Sequence, residues 1–225
     1  MNKLQLWSIF PICIVFCTNW FENCNVSSFC IEIRAIVKKF SIRDLRIENF
    51  YLYLDMKSHN GMRPHDVVVL LKILSLKDGW LNKDLSAGLH ISPSEISESL
   101  NRSAIAGLIS PDKKKVFKGA LLKFIEYGLG YVFPAEPGAI ERGVPTAHSA
   151  PVLKDLIVSQ ENYVWPYAGG KVRGQVVPPL YANQVQAVLQ DDKLYNMLAL
   201  TDSIRVGKVR EKEKAMNLLK KYFDE

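Results

Sequence analysis

The stretch ISPSEISESLNRSAIAGLI, residues 91–109, decides the fold expected for this chain. Ser92 is suited to a helix N-cap, and Pro93 is suited to the first helical position. Glu95 stands three residues after the cap, as in a capping box, and its charge also complements the helix dipole. The segment therefore predicts a helix whose first turn is acidic for structural reasons.

The chain before this segment predicts two further helices. The first, in RPHDVVVLLKILSL, has Pro64 in its first turn and Asp66 where an acid suits the dipole, and it should end near Gly79. The second, in LNKDLSAGLHI, is shorter, with Asn82 as its N-cap and Gly88 as its end. The spacing thus predicts helix, short turn and helix.

The chain after the quoted helix predicts a hairpin and a fourth helix. Ile96 and Leu100 form the inner stripe of the quoted helix, and Gly107 ends it. LISPDKKKVFKG then reads as strand, basic tip and strand, which is the pattern of a wing. GALLKFIEYGLGYVF predicts a helix that ends near Gly130.

Residues 64–133 resemble a winged helix-turn-helix domain of the MarR-like type. The resemblance rests on NKDLSAGLHISPSEISESLNRSAIAGLI, with its leucine helix, glycine turn, Ser-Pro-Ser start and Gly-Leu-Ile exit. Ser103 departs from the pattern, because these helices usually carry leucine there. The resemblance implies sequence-specific binding of double-stranded DNA, often by a dimer and usually in repression. We expect a cytoplasmic protein. The arrangement over 62–223 also resembles uncharacterised bacterial proteins with this winged helix, a resemblance that does not identify a ligand.

Two sets of residues are the expected DNA contacts, because base edges specify a sequence while phosphates position the protein. Glu98 can accept a hydrogen bond from cytosine N4, or it can belong to a solvated face. The wing lysines can contact phosphates, or they can form a solvated turn. The expected base-reading residues are Ser94, Ser97, Glu98, Asn101 and Arg102. The expected phosphate-binding residues are Lys83, Lys113, Lys114, Lys115 and Lys118.

The charge of the chain is compatible with an anionic partner. The 225 residues carry a net charge of +6 with a pI near 9.0, and 48% are hydrophobic, which is an ordinary globular composition. Residues 62–133 hold ten Lys and Arg against seven Asp and Glu, a balance of only +3. A single copy should therefore bind DNA weakly, which favours a dimer or a protein partner.

Residues 1–55 predict a poorly organised extension. The apolar run LQLWSIFPICIVFC is interrupted by polar residues and proline, so a membrane span is marginal. The four cysteines all lie within the first thirty residues and lack the paired spacing of a zinc site. Met56 and Met62 precede the organised region, so an alternative hypothesis is that the native start is one of these methionines.

Residues 134–181 predict an irregular Pro- and Gly-rich connection. It should contain a short helix near 151–158 and a β-hairpin in YVWPYAGGKVRGQVV that turns at Gly169 and Gly170. His148 beside Ser149 has no third group to make a nucleophile–base pair, so we expect a hydrogen-bonded loop histidine.

Residues 182–225 predict helices with a break at Gly207. Their apolar stripes favour packing on this chain or a dimer or partner surface, and the two alternatives stay open here.

The sequence as a whole predicts a mainly α protein with a small β component. A winged helix-turn-helix domain over 62–133 is followed by the hairpin-containing connection over 134–181 and by C-terminal helices over 182–225. The expected function is a dimeric, sequence-specific transcriptional regulator. The alternative is a winged-helix interaction module, such as the antitoxin of a toxin pair. We expect no enzyme activity, no metal and no cofactor.

Overall fold

The computed structural model describes residues 61–76, 79–157, 159 and 161–224. The predictions for residues 1–55, including those for the cysteines and the apolar run, lie outside the described residues. No helix in the described ranges is long and apolar enough to cross a membrane. The described residues are mainly helical with one small sheet, which confirms the broad fold class.

The described residues form helices in both halves and three strands between them. The helices are α1 Pro64–Ser75, α2 Asn82–Leu89, α3 Pro93–Ile105, α4 (Lys118–Lys123, continued by Phe124–Gly128 and Leu129–Val132), α5 Pro151–Lys154, α6 Gln184–Val188, α7 Asp192–Val206 and α8 Val209–Asp224. The strands are β1 Ile140–Pro145, β2 Tyr163–Pro166 and β3 Val172–Val176.

The first two helices form where the sequence predicts them, with corrections at their ends. α1 begins at Pro64, but it stops at Ser75, before the predicted end. The N-cap of α2 is Leu81 and not Asn82, because the Asp84 carboxylate accepts a hydrogen bond from the Leu81 backbone N–H at 2.8 Å. α2 also continues one residue past Gly88, and His90 takes the left-handed conformation that ends it, with φ 53°.

The predicted cap and inner stripe of α3 are confirmed. The Ser92 hydroxyl accepts a hydrogen bond from the Glu95 backbone N–H at 3.3 Å, and Pro93 is the first helical residue. Ile96 and Leu100 are buried against α1 and α2. α2 and α3 are therefore joined by the short turn at 90–92, and the apolar stripe of α3 faces inward.

A hairpin and a bulged helix follow α3. The hairpin has one antiparallel bridge, Ile109 to Val116, extended by a 2.8 Å hydrogen bond from the Phe117 backbone N–H to the Leu108 carbonyl. α4 then changes to π-helical hydrogen bonding over Phe124–Gly128 before it ends at Val132, two residues past the predicted end.

The three strands close into a small barrel, and the predicted hairpin of β2 with β3 is wrong. Both strands pair antiparallel with β1, so they run parallel to each other and meet at Tyr163 with Gln175. Gly143 allows this closure, because a Cβ there would collide with the Trp165 carbonyl. The chain segment that joins β2 to β3 therefore crosses from one edge of β1 to the other.

The barrel is attached to α7 by a buried polar network. The Asp202 carboxylate, which is fully buried, accepts a hydrogen bond from Trp165 Nε1 at 2.6 Å. It also accepts bonds from Thr146 Oγ1 at 3.3 Å and from Arg205 at 2.7 Å. Arg205 in turn donates to the Phe133 and Pro178 carbonyls. These bonds offset part of the cost of burying the carboxylate, and burial still raises the pKa of Asp202.

α7 lies at the centre of a core that all described parts of the chain share. It contacts α1, α4, α5, α6, α8 and the 3-10 turn Ala147–Ser149. The predicted apolar stripes of α7 and α8 are buried in this core, including Met197 and Leu219. These stripes therefore pack within the chain. The expectation that the C-terminal helices also form a homodimer or partner surface stays a prediction. The predicted break at Gly207 is confirmed.

Candidate nucleic-acid interface

The outer face of α3 carries four of the five predicted base-reading residues. Ser94 and Glu98 are exposed, and Ser97 and Asn101 are half-buried. Their spacing of three and four residues places them on one side of the helix. Ile105 continues this side at the C-terminal end and is 69% exposed. The face is therefore polar, open and bordered by one apolar side chain.

Arg102 is the exception, and the expectation that it projects from the outer face is corrected. It is only 6% exposed, because its guanidinium forms a bidentate ion pair with Asp66 of α1. Nε lies 2.9 Å from Oδ2, and the terminal nitrogen lies 2.7 Å from Oδ1. Asp66 is fully buried, so the arginine holds α3 against the first turn of α1.

Glu95 joins the same cluster through its side chain. Its Oε1 accepts from Arg102 at 2.8 Å and from His65 Nε2 at 2.9 Å, and it lies 3.2 Å from Arg63. The hydrogen bond from Arg102 is the main reason why the pKa of Glu95 is lowered. The carboxylate thus pairs with cations of α1 and α3, and the capping box predicted for it with Ser92 is only half formed.

The geometry also fixes which atom of His65 donates. The terminal nitrogen of Arg102 has two hydrogens, and the carboxylates of Asp66 and Glu95 accept them at 2.7 and 2.8 Å. His65 Nε2 lies 3.0 Å from the same nitrogen and therefore has no hydrogen to accept from it. Nε2 consequently carries a proton and donates it to Glu95.

These contacts compensate the charge of one of the two acidic residues of α3. The charge of Glu95 is compensated by its pairs with Arg102, His65 and Arg63, which leaves Glu98 as the one exposed acidic side chain of α3. Sequence reasoning missed this cluster, although one signal was available. Glu95 and Arg102 are seven residues apart and so lie on the same flank of the helix, beside the apolar stripe.

The tip of the hairpin presents the predicted basic side chains. Lys114 and Lys115 are exposed, while Lys113 is half-buried and has φ 59°. The Asp112 carboxylate shapes the turn by accepting from the Ser110 hydroxyl and from the Lys114 backbone N–H. The hydroxyl bond also lowers the pKa of Asp112. The turn is thus held by its own polar groups, and the lysine ammoniums extend from it.

The two remaining phosphate-binding candidates lie in different surroundings. Lys83 is exposed in the first turn of α2. Lys118 donates from Nζ to the Phe223 carbonyl near the end of α8, so its expected role at a phosphate is not supported. Lys118 instead ties the base of the hairpin to the C-terminal helix, beside an open cleft of about 1340 Å³ that Trp80 and Phe117 help to line.

The other candidate chemistry in the described residues is structural. His148 is buried, its Nε2 lies 2.8 Å from the Glu161 carbonyl, and its ring packs on Tyr163 at 4.4 Å. The Ser149 hydroxyl accepts from the Tyr163 backbone N–H at 2.8 Å. The expected hydrogen-bonded histidine is thereby confirmed. In the described part of the chain, no group of His, Cys, Asp and Glu is arranged to hold a metal ion.

The chain was compared with protein families, curated proteins and solved structures. No protein-family model, no curated protein and no solved structure matches this chain. The candidate interface therefore rests on the residues and their geometry.

Proposed function

We propose that this protein binds double-stranded DNA through α3 and the basic hairpin, and that it acts in the cytoplasm as a transcriptional regulator of the winged-helix type. The observation that carries the proposal is the open polar face of α3, where Ser94, Ser97, Glu98 and Asn101 stand in one row. An α-helix fits the major groove, and amide and hydroxyl groups are suited to base edges.

The distribution of charge supports the same proposal. The Glu95 carboxylate is occupied by Arg102 and His65, so it adds little repulsion toward a polyanion. Lys114 and Lys115 are exposed at the tip of a hairpin that follows α3 directly, as the phosphate contacts of a wing would be. The proposed division of labour is that α3 reads bases while the hairpin binds the backbone.

The first experiment selects a binding sequence from a random duplex pool with the full-length protein. Asn101→Ala should then lower affinity for the selected duplex by roughly 1–3 kcal/mol, while affinity for a scrambled duplex stays nearly unchanged. The exposed Lys220 on α8 provides a matched control, and Lys220→Ala should behave as wild type. A pool that yields no enriched sequence would count against the proposal.

The second experiment measures the salt dependence of binding. Each phosphate contact that is lost should reduce the slope of log affinity against log salt by about 0.9. Lys114→Ala and Lys115→Ala should therefore lower affinity for selected and scrambled duplexes alike and reduce the slope. An unchanged slope in the double variant would remove the hairpin from the interface.

One observation favours a second candidate function, a protein-interaction module such as an antitoxin. Tyr127 and Tyr131, four residues apart on α4, are 68% and 89% exposed, and Val132 beside them is 53% exposed. Exposed aromatic pairs of this kind are suited to protein interfaces. Tyr131→Asp should then abolish co-purification with the product of a neighbouring gene while DNA binding persists.

A further inference from the structure

The barrel has one exposed end on which two arginines stand side by side. Arg142 of β1 lies directly opposite Arg173 of β3, and both side chains are exposed. Like charges in opposed positions of an antiparallel pair destabilise a sheet. Among the described residues, no carboxylate forms an ion pair with either arginine. The structure therefore places two uncompensated guanidiniums next to each other.

An aromatic side chain, Tyr167, lies next to this pair of arginines. Tyr167 follows β2, and its backbone N–H donates to the Arg142 carbonyl at 3.1 Å, so Tyr167 lies on the other side of Arg142 from Arg173. Its ring lies close to the turn, since a Cβ built on Gly169 would be 2.7 Å from the Tyr167 ring carbon Cε1. The side chain is nonetheless 38% exposed. The ring is thus partly accessible to solvent at this end of the barrel.

Arg142, Arg173 and Tyr167 point to one face of the barrel. Because side chains alternate along a strand, nearby acidic and core residues lie elsewhere. Glu141 precedes Arg142 and so points to the opposite face of β1. Trp165, two residues before Tyr167, shares the face of these three residues but is buried at the end that packs on α7. At one end of this face, Trp165 attaches the barrel to α7. The other end of the same face is a basic, aromatic surface.

We infer that Arg142, Arg173 and Tyr167 form a binding site for single-stranded nucleic acid. Guanidinium pairs bind phosphate oxygens, and an exposed aromatic ring beside them can stack on an unpaired base. A duplex hides its base faces, so it could use only the arginines. The surface is open and Lys171 adds a third exposed cation nearby, which favours a strand with successive phosphates over a free nucleotide. This site is separate from the α3 surface proposed above for duplex DNA.

The test uses the full-length protein and a fluorescent twelve-residue oligothymidylate, which forms no duplex. Arg142→Gln and Arg173→Gln should each weaken binding by roughly tenfold, and Tyr167→Leu should weaken it similarly through lost stacking. Arg210 is also exposed, on α8, and forms no ion pair within the described ranges, so Arg210→Gln is the matched control and should bind as wild type. Equal losses in the control, or none in the barrel variants, would overturn the inference.

A second measurement separates binding from misfolding and from the duplex proposal. In chloride buffer Arg173→Gln should melt at or above the wild-type temperature, because a like-charge pair is removed. Inorganic phosphate at equal ionic strength should stabilise wild type more than the variant.

Asn101→Ala should lose duplex affinity and keep oligothymidylate affinity. If duplex binding fails while Arg173→Gln still loses the oligonucleotide, only the function proposed for α3 is wrong. The site would be refuted if Arg173→Gln melted below wild type and if phosphate raised the melting temperatures of the two proteins by the same amount.

Discussion

Replacement of Arg102 by alanine tests whether the cluster between α1 and α3 stabilises the fold. The variant would leave the fully buried Asp66 carboxylate with the Arg63 backbone N–H, at 2.7 Å, as its remaining hydrogen-bond donor. Removing one member of a buried ion pair typically costs about 3–5 kcal/mol. The pair with Glu95 adds less than about 1 kcal/mol, because that carboxylate is 33% exposed.

The expected loss for Arg102→Ala is therefore about 3–5 kcal/mol of unfolding free energy, measured by urea denaturation at neutral pH. Asn101→Ala, one residue away on the open face, is the control and should change stability by less than about 0.5 kcal/mol. The double variant Asp66→Asn with Arg102→Met should lose less than the sum of the single changes, since no charge is left unpaired. A loss below about 1 kcal/mol in Arg102→Ala would refute the reasoning.

Two further outcomes are expected. The pKa of Glu95 is lowered, first by the Arg102 hydrogen bond, so its contribution to stability is present above the ordinary glutamate pKa and is lost as pH falls through the lowered value. Glu95→Gln should thus flatten the loss of melting temperature below about pH 5, and a curve parallel to wild type would contradict this. Residues 62–190 alone should give no cooperative thermal transition, because α7 and α8 supply Leu198 and Leu219 to the shared core; a sharp circular-dichroism transition would show otherwise.

The helices could be predicted from sequence because their signals are local. Ser92, Pro93 and the stripe of Ile96 with Leu100 act within one helix, and the structure confirms each of them. The outer face of α3 followed from the same periodicity. The boundaries were less predictable, because neighbouring side chains such as Asp84 compete with the expected cap for a given backbone N–H.

The barrel and the ion-pair cluster could not be predicted in the same way, because their determinants are distant in the chain. β1 contains glycine, proline and two charges, so it lacks the alternation that marks a strand, and it forms through pairing with β2 and β3. The sequence places Arg102 on the flank of α3, where a polar residue is usually exposed. Arg102 is buried because it pairs with Asp66, which is thirty-six residues away in the chain. Sequence periodicity assigns a face and does not reveal such a partner.

The central position of α7 also bears on how the protein moves. Ten of its residues, from Leu194 to Arg205, are buried, so nearly every side of this helix is covered by other parts of the chain. Amide hydrogens in such a segment exchange with solvent only when the surrounding structure opens as a whole. Helix α3, the hairpin and the barrel are all anchored to α7, directly or through α1 and α4. We therefore expect the amide hydrogens of α7 to be among the slowest to exchange, and we expect a ligand bound at one of these surfaces to spend little binding free energy on ordering the backbone beneath it.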